Sequence, residues 1–274
     1  MTVAITAPMG SFEVGQGRPL AIIAGPCGLE SADVAFAVAR GVKAAAARLG
    51  LPFIFKGSFD KANRTRGDAW RGPGLREGLD LLAAIRREVG VPVTTDVHES
   101  GQAEAVASVV DLLQVPAFLC RQTDLLVACG RTGKPVNVKK GQFLAPDDAR
   151  YVVDKVRSAG ASGVIITERG TTFGHHDLVV DFRGLADMRS DGVVVAFDAT
   201  HSVQRPGAMG GRSGGTRRHV PVLARAAVAA GVDLVFAEVH PDPASALSDA
   251  DTQWPLAEID AFLGPLARLR EVVS

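Results

Sequence analysis

Eight short apolar runs, spaced along the whole chain, limit what it can fold into. They are LAIIAG (20–25), PFIFKG (52–57), VPVTTDV (91–97), DLLQVPA (111–117), PVNVKK (135–140), GVIITERG (163–170), VVVAFDAT (193–200) and DLVFAEVH (233–240). Each is apolar almost throughout rather than alternating, the pattern of parallel strands covered on both faces. Helical segments fill the gaps. Ser31 to Leu49 opens on a plausible N-cap and stops at Gly50. Leu75 to Val89 stops at Gly90, and Pro146 to Ala159 starts on a proline and stops at Gly160. Thr216 to Ala230 and Pro255 to Val273 complete the set. Strand–helix alternation over 274 residues, with no linker or composition shift, predicts an α/β protein: a single (β/α)8 TIM barrel spanning 1–274. Residues 1–19 are a short N-terminal extension, either a strand pair or a cover for the barrel bottom. The Gly- and Arg-rich stretch 205–215 reads as a mobile loop after the seventh strand.

Thirty Lys plus Arg balance thirty Asp plus Glu, so no net charge favours nucleic acid or an anionic membrane. No apolar run approaches the roughly 20 residues needed to span a bilayer. Met1 to Gly10 lacks the basic and apolar regions of a secretion signal. Three cysteines without finger-like spacing suit a reducing compartment, so a cytoplasmic location is expected. Cys120 and Cys129 are read as packing residues.

Where each run ends, a specific polar group appears: Cys27, Lys56, Asp96 with His98, Gln114, Lys139, Arg169, Asp198 with His201, and Glu238 with His240. Strand C-terminal ends are where such barrels place their chemistry. The cations Lys56, Lys61, Arg64, Lys139, Lys140 and Arg169, with Arg205 as a possible addition, suit an anionic small ligand carrying phosphate or carboxylate. The loop FKGSFDKANRTRG (55–67) offers a second donor set in Lys61, Asn63, Arg64 and Thr65, though its residue types also suit an ordinary solvated loop. Cys27, His201, Glu238 and Asp249 come from the first, seventh and eighth strand ends and the loop after the eighth, which are neighbours in a closed barrel. Thiol, imidazole and carboxylate together suit a divalent Zn, Fe, Mn or Co ion. Spacing alone equally allows a packed cysteine, a satisfied histidine and solvated acids.

AGPC (24–27), SFDKANR (58–64), RGPGL (71–75), TDVHE (95–99), PAFLCRQTDL (116–125), NVKKGQF (137–143), FDATH (197–201) and EVHPDP (238–243) carry a further signal. In order and content they resemble the 3-deoxy-D-manno-octulosonate 8-phosphate (KDO-8-phosphate) synthase family, from about Ala21 to Leu269. The resemblance implies a homotetrameric transferase of KDO and lipopolysaccharide biosynthesis. It would condense phosphoenolpyruvate with D-arabinose 5-phosphate and water, releasing phosphate. Cys at position 27, where the metal-independent branch has Asn, places the chain with the metal-dependent branch. The implied metal ligands are Cys27, His201, Glu238 and Asp249. Lys61, Lys139 and Arg169, with Gln114, would hold phosphoenolpyruvate. Asn63 and Arg64, with Ser58 and Thr65 nearby, would hold the sugar phosphate, and Asp96, Lys56 and His98 would face the sugar. Lys61, Lys139, Arg169, Asp96 and His98 are the implied catalytic set.

Three stretches depart from the family pattern. Thr65-Arg66 replaces a pair of small hydroxyl residues, His175-His176 adds an imidazole pair, and SDADTQWP (248–255) varies the run that carries Asp249. The nearest rival is the synthase of 3-deoxy-arabino-heptulosonate 7-phosphate, which uses erythrose 4-phosphate. It typically shows K-P-R-T where this chain shows K-A-N-R (61–64). A zinc hydrolase on the same barrel would place an H-x-H pair after the first strand, where this chain has G-P-C (25–27).

Overall fold

The computed structural model describes residues 1–7, 10–172, 176–208 and 213–273. Eight parallel strands close into a barrel: β1 (Ala21–Gly25), β2 (Phe53–Lys56), β3 (Val93–Asp96), β4 (Leu112–Val115), β5 (Val136–Lys139), β6 (Val164–Glu168), β7 (Val194–Asp198) and β8 (Leu234–His240). Each pairs with the next, and β8 closes the ring on β1 with Leu234 opposite Ala21. The helices that follow are α1 (Ala32–Arg48), α2 (Leu75–Glu88), α3 (Ala103–Ala107), α4 (Thr123–Arg131), α5 (Ala149–Ser158), α6 (Phe182–Ser190), α7 (Val220–Ala229) and α8 (Ile259–Val273). This is the (β/α)8 barrel expected from the sequence. No helix among the described residues is long and apolar enough to cross a membrane.

Local chemistry sets the helix ends. The Ser31 hydroxyl accepts from the Val34 N–H at 3.2 Å, satisfying one free donor of the first turn of α1. Gly50 and Gly90 leave α1 and α2 at φ +64° and +69°, where a Cβ would be strained. Starts predicted at Pro146, Thr216 and Pro255 prove early: short 3-10 turns at Pro146–Asp148, Arg217–His219 and Leu256–Glu258 precede α5, α7 and α8.

Strand parity sorts the core into two apolar clusters. Ile22, Phe55, Leu113, Val138, Ile166, Phe197 and Val235 face outward and pack under the helices. Ile23, Ile54, Leu112, Ile165, Ala196 and Phe236 point into the lumen. Side chains two residues apart share a face. Each lumen column therefore continues upward to one polar group: Ile23 through Gly25 to Cys27, Ile54 to Lys56, Thr94 to Asp96, Leu112 to Gln114, Asn137 to Lys139, Ile165 through Thr167 to Arg169, Ala196 to Asp198, Phe236 to Glu238.

The N-terminal extension is both things that the sequence allowed. Thr2–Ala7 and Gly10–Gly15 form an antiparallel hairpin, with Val3 opposite Val14 and Ile5 opposite Phe12. Val3, Ile5 and Val14 join the lumen cluster and plug the barrel bottom. A Cβ on Gly163 would lie 2.5 Å from Val3 Cγ1, so the plug sits directly on β6's entry. Residues 209–212 of the loop after β7 lie outside the described residues. Its two ends pair, Gln204 with Gly215 and Arg205 with Gly214.

Ile5→Ala should cost about 2–5 kcal/mol, the usual range for truncating a fully buried Ile. Thermal or denaturant unfolding would show a lowered midpoint. An unchanged midpoint would mean that the hairpin does not plug the barrel.

Candidate active site

At the C-terminal end of the strands lies a cavity of about 600 Å³, lined by groups from the strand ends and by the loops that follow β2, β4, β7 and β8. Lys56, Lys61, Asn63, Arg64, Thr65, Asp96, His98, Gln114, Lys139, Arg169, His201, Glu238 and Asp249 all face it. Ser58 and Cys27 sit just beneath, tied to that lining by hydrogen bonds. Two of the predicted cations are elsewhere. Lys140 is buried but one step out of phase with Lys139, so it turns outward, donating to the Leu144 carbonyl at 2.7 Å and pairing with Glu168 at 3.2 Å. Arg205 is exposed and pairs with Asp177 at 2.8 Å. Arg66 lines the rim and pairs with Asp68 at 2.6 Å. His175 lies outside the described residues. His176, at φ +62°, hydrogen-bonds the Pro206 carbonyl at 2.6 Å and stands apart from the Cys27 cluster.

Two hydrogen-bonded systems organise the mouth. The first is a chain of six side chains from four neighbouring strands and the loop after β2. Thr167 donates to Asn137 at 2.7 Å, Asn137 to Gln114 at 2.9 Å, and Gln114 to Asp96 at 2.6 Å. From the other side Lys61 donates to Ser58 at 3.1 Å, and Ser58 donates to Asp96. Every donor in the chain points toward Asp96, which is its final acceptor. Burial alone would raise the Asp96 carboxyl, but Lys56 and Lys61 outweigh it and hold the group well below the usual carboxylate range. Burial lowers the neighbouring His98, which rests edge-on against Phe59 at 5.5 Å between ring centres.

The second system centres on the thiol and its carboxylates. Cys27 Sγ lies 3.0 Å from Ser248 Oγ and 3.5 Å from Asp249 Oδ2. His201 Nε2 lies 3.6 Å from Glu238 Oε1 and 3.7 Å from Asp249 Oδ2. Donors about 2.0–2.3 Å from one tetrahedral centre would stand roughly 3.3–3.8 Å apart, as the Cys27–Asp249, His201–Glu238 and His201–Asp249 pairs do. The sulfur and the Glu238 and Asp249 oxygens all lie within 4.8 Å of one another, while Glu238 Oε2 is buried without a hydrogen-bond partner among the described residues. Burial pushes the Cys27 thiol up, and Glu238 and Asp249 raise it further. Glu238 is held ionised against its burial by His201, Lys56 and Lys61, with Lys56 Nζ at 2.8 Å. Cys27, Glu238 and Asp249 form that mutually close set, and His201 Nε2 stands at its edge, near the two carboxylates but outside the set with the sulfur. A thiol with two carboxylates and a flanking imidazole fits the donor chemistry of a divalent transition ion.

Several residues that shape the site were not assigned roles from the sequence. Asp198 accepts from His201 Nδ1 at 2.7 Å, which fixes the ring so that Nε2 faces the cluster. The same carboxylate pairs with Lys139. Burial lowers Lys139 and would raise Asp198, but His201 and Lys139 keep Asp198 ionised. Phe236 forms the floor, its ring centre 3.3 Å from Lys139 Nζ and 5.8 Å from the His201 ring. Gln253 accepts from the Cys27 N–H at 3.1 Å and donates to the Ser248 carbonyl at 2.8 Å, fixing the cysteine's backbone. The spacing FDATH (197–201) held a clue to Asp198, since a residue three positions before His201 can reach back to its ring.

The barrel, the anion-ready mouth and the thiol–carboxylate cluster define an enzyme acting on small anionic substrates at its strand ends. Comparison with known proteins gives the family. The model of the DAHP synthetase I family matches residues 3–273, and the chain belongs to that family. Its relatives include a 2-dehydro-3-deoxyphosphooctonate aldolase of Nitratidesulfovibrio vulgaris, 59% identical over 90% of this chain and 91% of that one. Proteins of the same name from Acidithiobacillus ferrooxidans (55% identical, 96% of this chain and 94% of that one) and Stenotrophomonas maltophilia (56%, 96% and 95%) match over a larger share of both chains. These names agree with the resemblance to KDO-8-phosphate synthases.

Asp198→Asn should release the His201 ring from its fixed orientation. The loss expected is about 10–100-fold in affinity for a divalent ion, as for other partners of metal-facing histidines. Competition with a chromophoric chelator would measure it. Undiminished affinity would remove Asp198 from the site.

Proposed function

We propose that this chain condenses phosphoenolpyruvate with D-arabinose 5-phosphate and water, giving 3-deoxy-D-manno-octulosonate 8-phosphate and inorganic phosphate. The observation that carries the reading is the mouth itself. Lys61, Lys139, Arg169 and Arg64 line one cavity with the Cys27–His201–Glu238–Asp249 cluster beside them. The names of the relatives select the reaction from among those that such a mouth could serve.

Arg169 Nη1 and Arg64 Nη2 are buried with no acceptor among the described residues, so each has an N–H to offer an anion. Arg169, Lys139 and Lys61 hold the phosphate and carboxylate of phosphoenolpyruvate, with Gln114 beside them. Arg64 and Asn63, with Thr65, hold the sugar phosphate, and Arg64 Nε is fixed by the Trp70 carbonyl at 3.0 Å. Asp96, Lys56 and His98 face the sugar hydroxyls. In the reaction the C2=C3 π pair of phosphoenolpyruvate forms the bond from C3 to the aldehyde carbon while the aldehyde C=O opens, and a proton from water goes to the aldehyde oxygen. The water oxygen bonds to C2, and the resulting hemiketal phosphate breaks its C2–O bond to phosphate, forming the C2 ketone as the remaining hydroxyl proton leaves with inorganic phosphate. Positive charge develops near C2, negative charge at the aldehyde oxygen. The fixed charges around the mouth stabilise both without reorganising. Holding the two substrates together removes much of the entropic barrier. Cys27, Glu238 and Asp249, joined by His201 from beside the two carboxylates, would hold a divalent Zn, Fe, Mn or Co ion, which would supply Lewis acidity to water or to the aldehyde.

By the same resemblance the assembly is a homotetramer, which sedimentation at four chain masses would verify. The three unpaired, buried cysteines suit a reducing cytoplasm.

Phosphate release should occur with phosphoenolpyruvate plus arabinose 5-phosphate. Turnover only with erythrose 4-phosphate would overturn the assignment. Chelation should abolish that release and added Mn²⁺ or Co²⁺ restore it; full activity after metal stripping would remove the ion from the reaction. Arg64→Ala should raise the apparent KM for the sugar phosphate about tenfold or more, the worth of one charged hydrogen bond, with a smaller change for phosphoenolpyruvate. Equal changes for both substrates would reassign Arg64.

A further inference from the structure

Gln204 is buried where the loop after β7 begins, and neither the family blocks nor the ligand set includes it. Its side chain touches both halves of the site. Arg169 Nη2 donates to Gln204 Oε1 at 2.7 Å, and Gln204 Nε2 donates to Asp249 Oδ2 at 2.8 Å. The amide fits in one orientation only. Reversed, it would set donor against guanidinium and carbonyl against carboxylate. The Asp249 oxygen it holds is the one 3.5 Å from Cys27 Sγ and 3.7 Å from His201 Nε2.

The backbone holds this bridge in place. Gln204 pairs with Gly215, and a Cβ on Gly215 would lie 2.1 Å from Thr252 Cγ2. The Thr252 and Gln253 N–H groups both donate to the Asp249 carbonyl, at 3.0 and 3.1 Å. Asp249 itself is held at φ +48°, a conformation that a non-glycine residue adopts only when its surroundings enforce it. The strand pair that carries Gln204 is thus packed on the turn that carries Asp249.

We infer that Gln204 is a positioning residue that couples anion binding at Arg169 to divalent-ion binding at Asp249. With no anion bound, the guanidinium polarises the amide, and the amide N–H draws charge from the Asp249 carboxylate. An anion on Arg169 relieves that polarisation and leaves Asp249 a better ligand. Each ligand therefore tightens the other through the bridge, in addition to their direct attraction.

This inference rests on the anion and ion sites proposed above. The test is a Co²⁺ titration of metal-stripped protein, with and without saturating phosphoenolpyruvate, on wild type and Gln204→Met. The ratio of the two Co²⁺ affinities is the readout. It should fall about fivefold or more in the variant, the low end of ordinary coupling between sites. A purely structural role would weaken Co²⁺ in both titrations and leave the ratio unchanged, which would overturn the inference. If Gln204→Met does not fold, Gln204→Asn replaces it: its amide is one methylene too short to reach both partners, and the same fall is expected. Failure of wild type to bind Co²⁺, or to bind phosphoenolpyruvate, would sink the underlying sites and the bridge with them.

Discussion

Glu238 sits fully buried at the end of β8, and the mouth is built around its charge. An isolated carboxylate there would be too costly to keep ionised. Lys56 answers it at 2.8 Å, also buried, and bonds at 2.8 Å to the Cys27 carbonyl. One ammonium thus ties β2 to both β8 and the end of β1. Removing either partner of such a pair costs about 3–5 kcal/mol, because the other charge stays buried alone. Such a pair contributes little net stability compared with apolar packing. What it gives instead is position: a thiol, a carboxylate and a lysine are held at fixed separations before any ligand arrives.

On the neighbouring strand β7, Asp198 with Lys139 and His201 repeats the arrangement. Phe236 lies between the two systems, with Lys139 over its face at 3.3 Å and Lys56 at 5.7 Å. An aromatic floor tolerates cations while excluding water from below. The apolar lumen beneath it, closed at the bottom by the hairpin, lowers the local dielectric. Every charge above it acts more strongly as a result.

The fold was legible because burial on two faces writes a strong signal: continuous apolar runs, one per strand. The polar ends were legible for the same reason, since a charge that terminates such a run stands out. Sorting those charges needed parity. Lys139 and Lys140 are adjacent in sequence, yet only Lys139 continues the lumen column through Asn137. That rule was available in the sequence, but both lysines read as mouth residues by composition. Asp198, Gln204 and Gln253 were harder. Their importance lies in whom they touch, and those partners are 3, 45 and 226 residues away in the chain. The N-terminal hairpin was undecided because Val3, Ile5 and Val14 carry too few apolar positions to show where they bury. Only the barrel bottom gives them a place.

Taken together, the site holds its own counter-charges in reserve. Glu238 neutralises Lys56 and approaches Lys61 at 3.9 Å, while Asp198 neutralises Lys139. A cation gathered by Glu238 and Asp249 competes for the carboxylate charge that these lysines now face, which makes the lysines better hosts for an anion. An anion on the lysines has the reciprocal effect on the carboxylates. Mutual tightening of cation and anion is therefore a property of the whole charge pattern, because removing one partner of a buried pair makes the other seek a substitute. What distinguishes Gln204 within that pattern is directness. It is one neutral side chain bonded to both a lining cation and a lining carboxylate, and it carries the effect between them without adding a charge of its own.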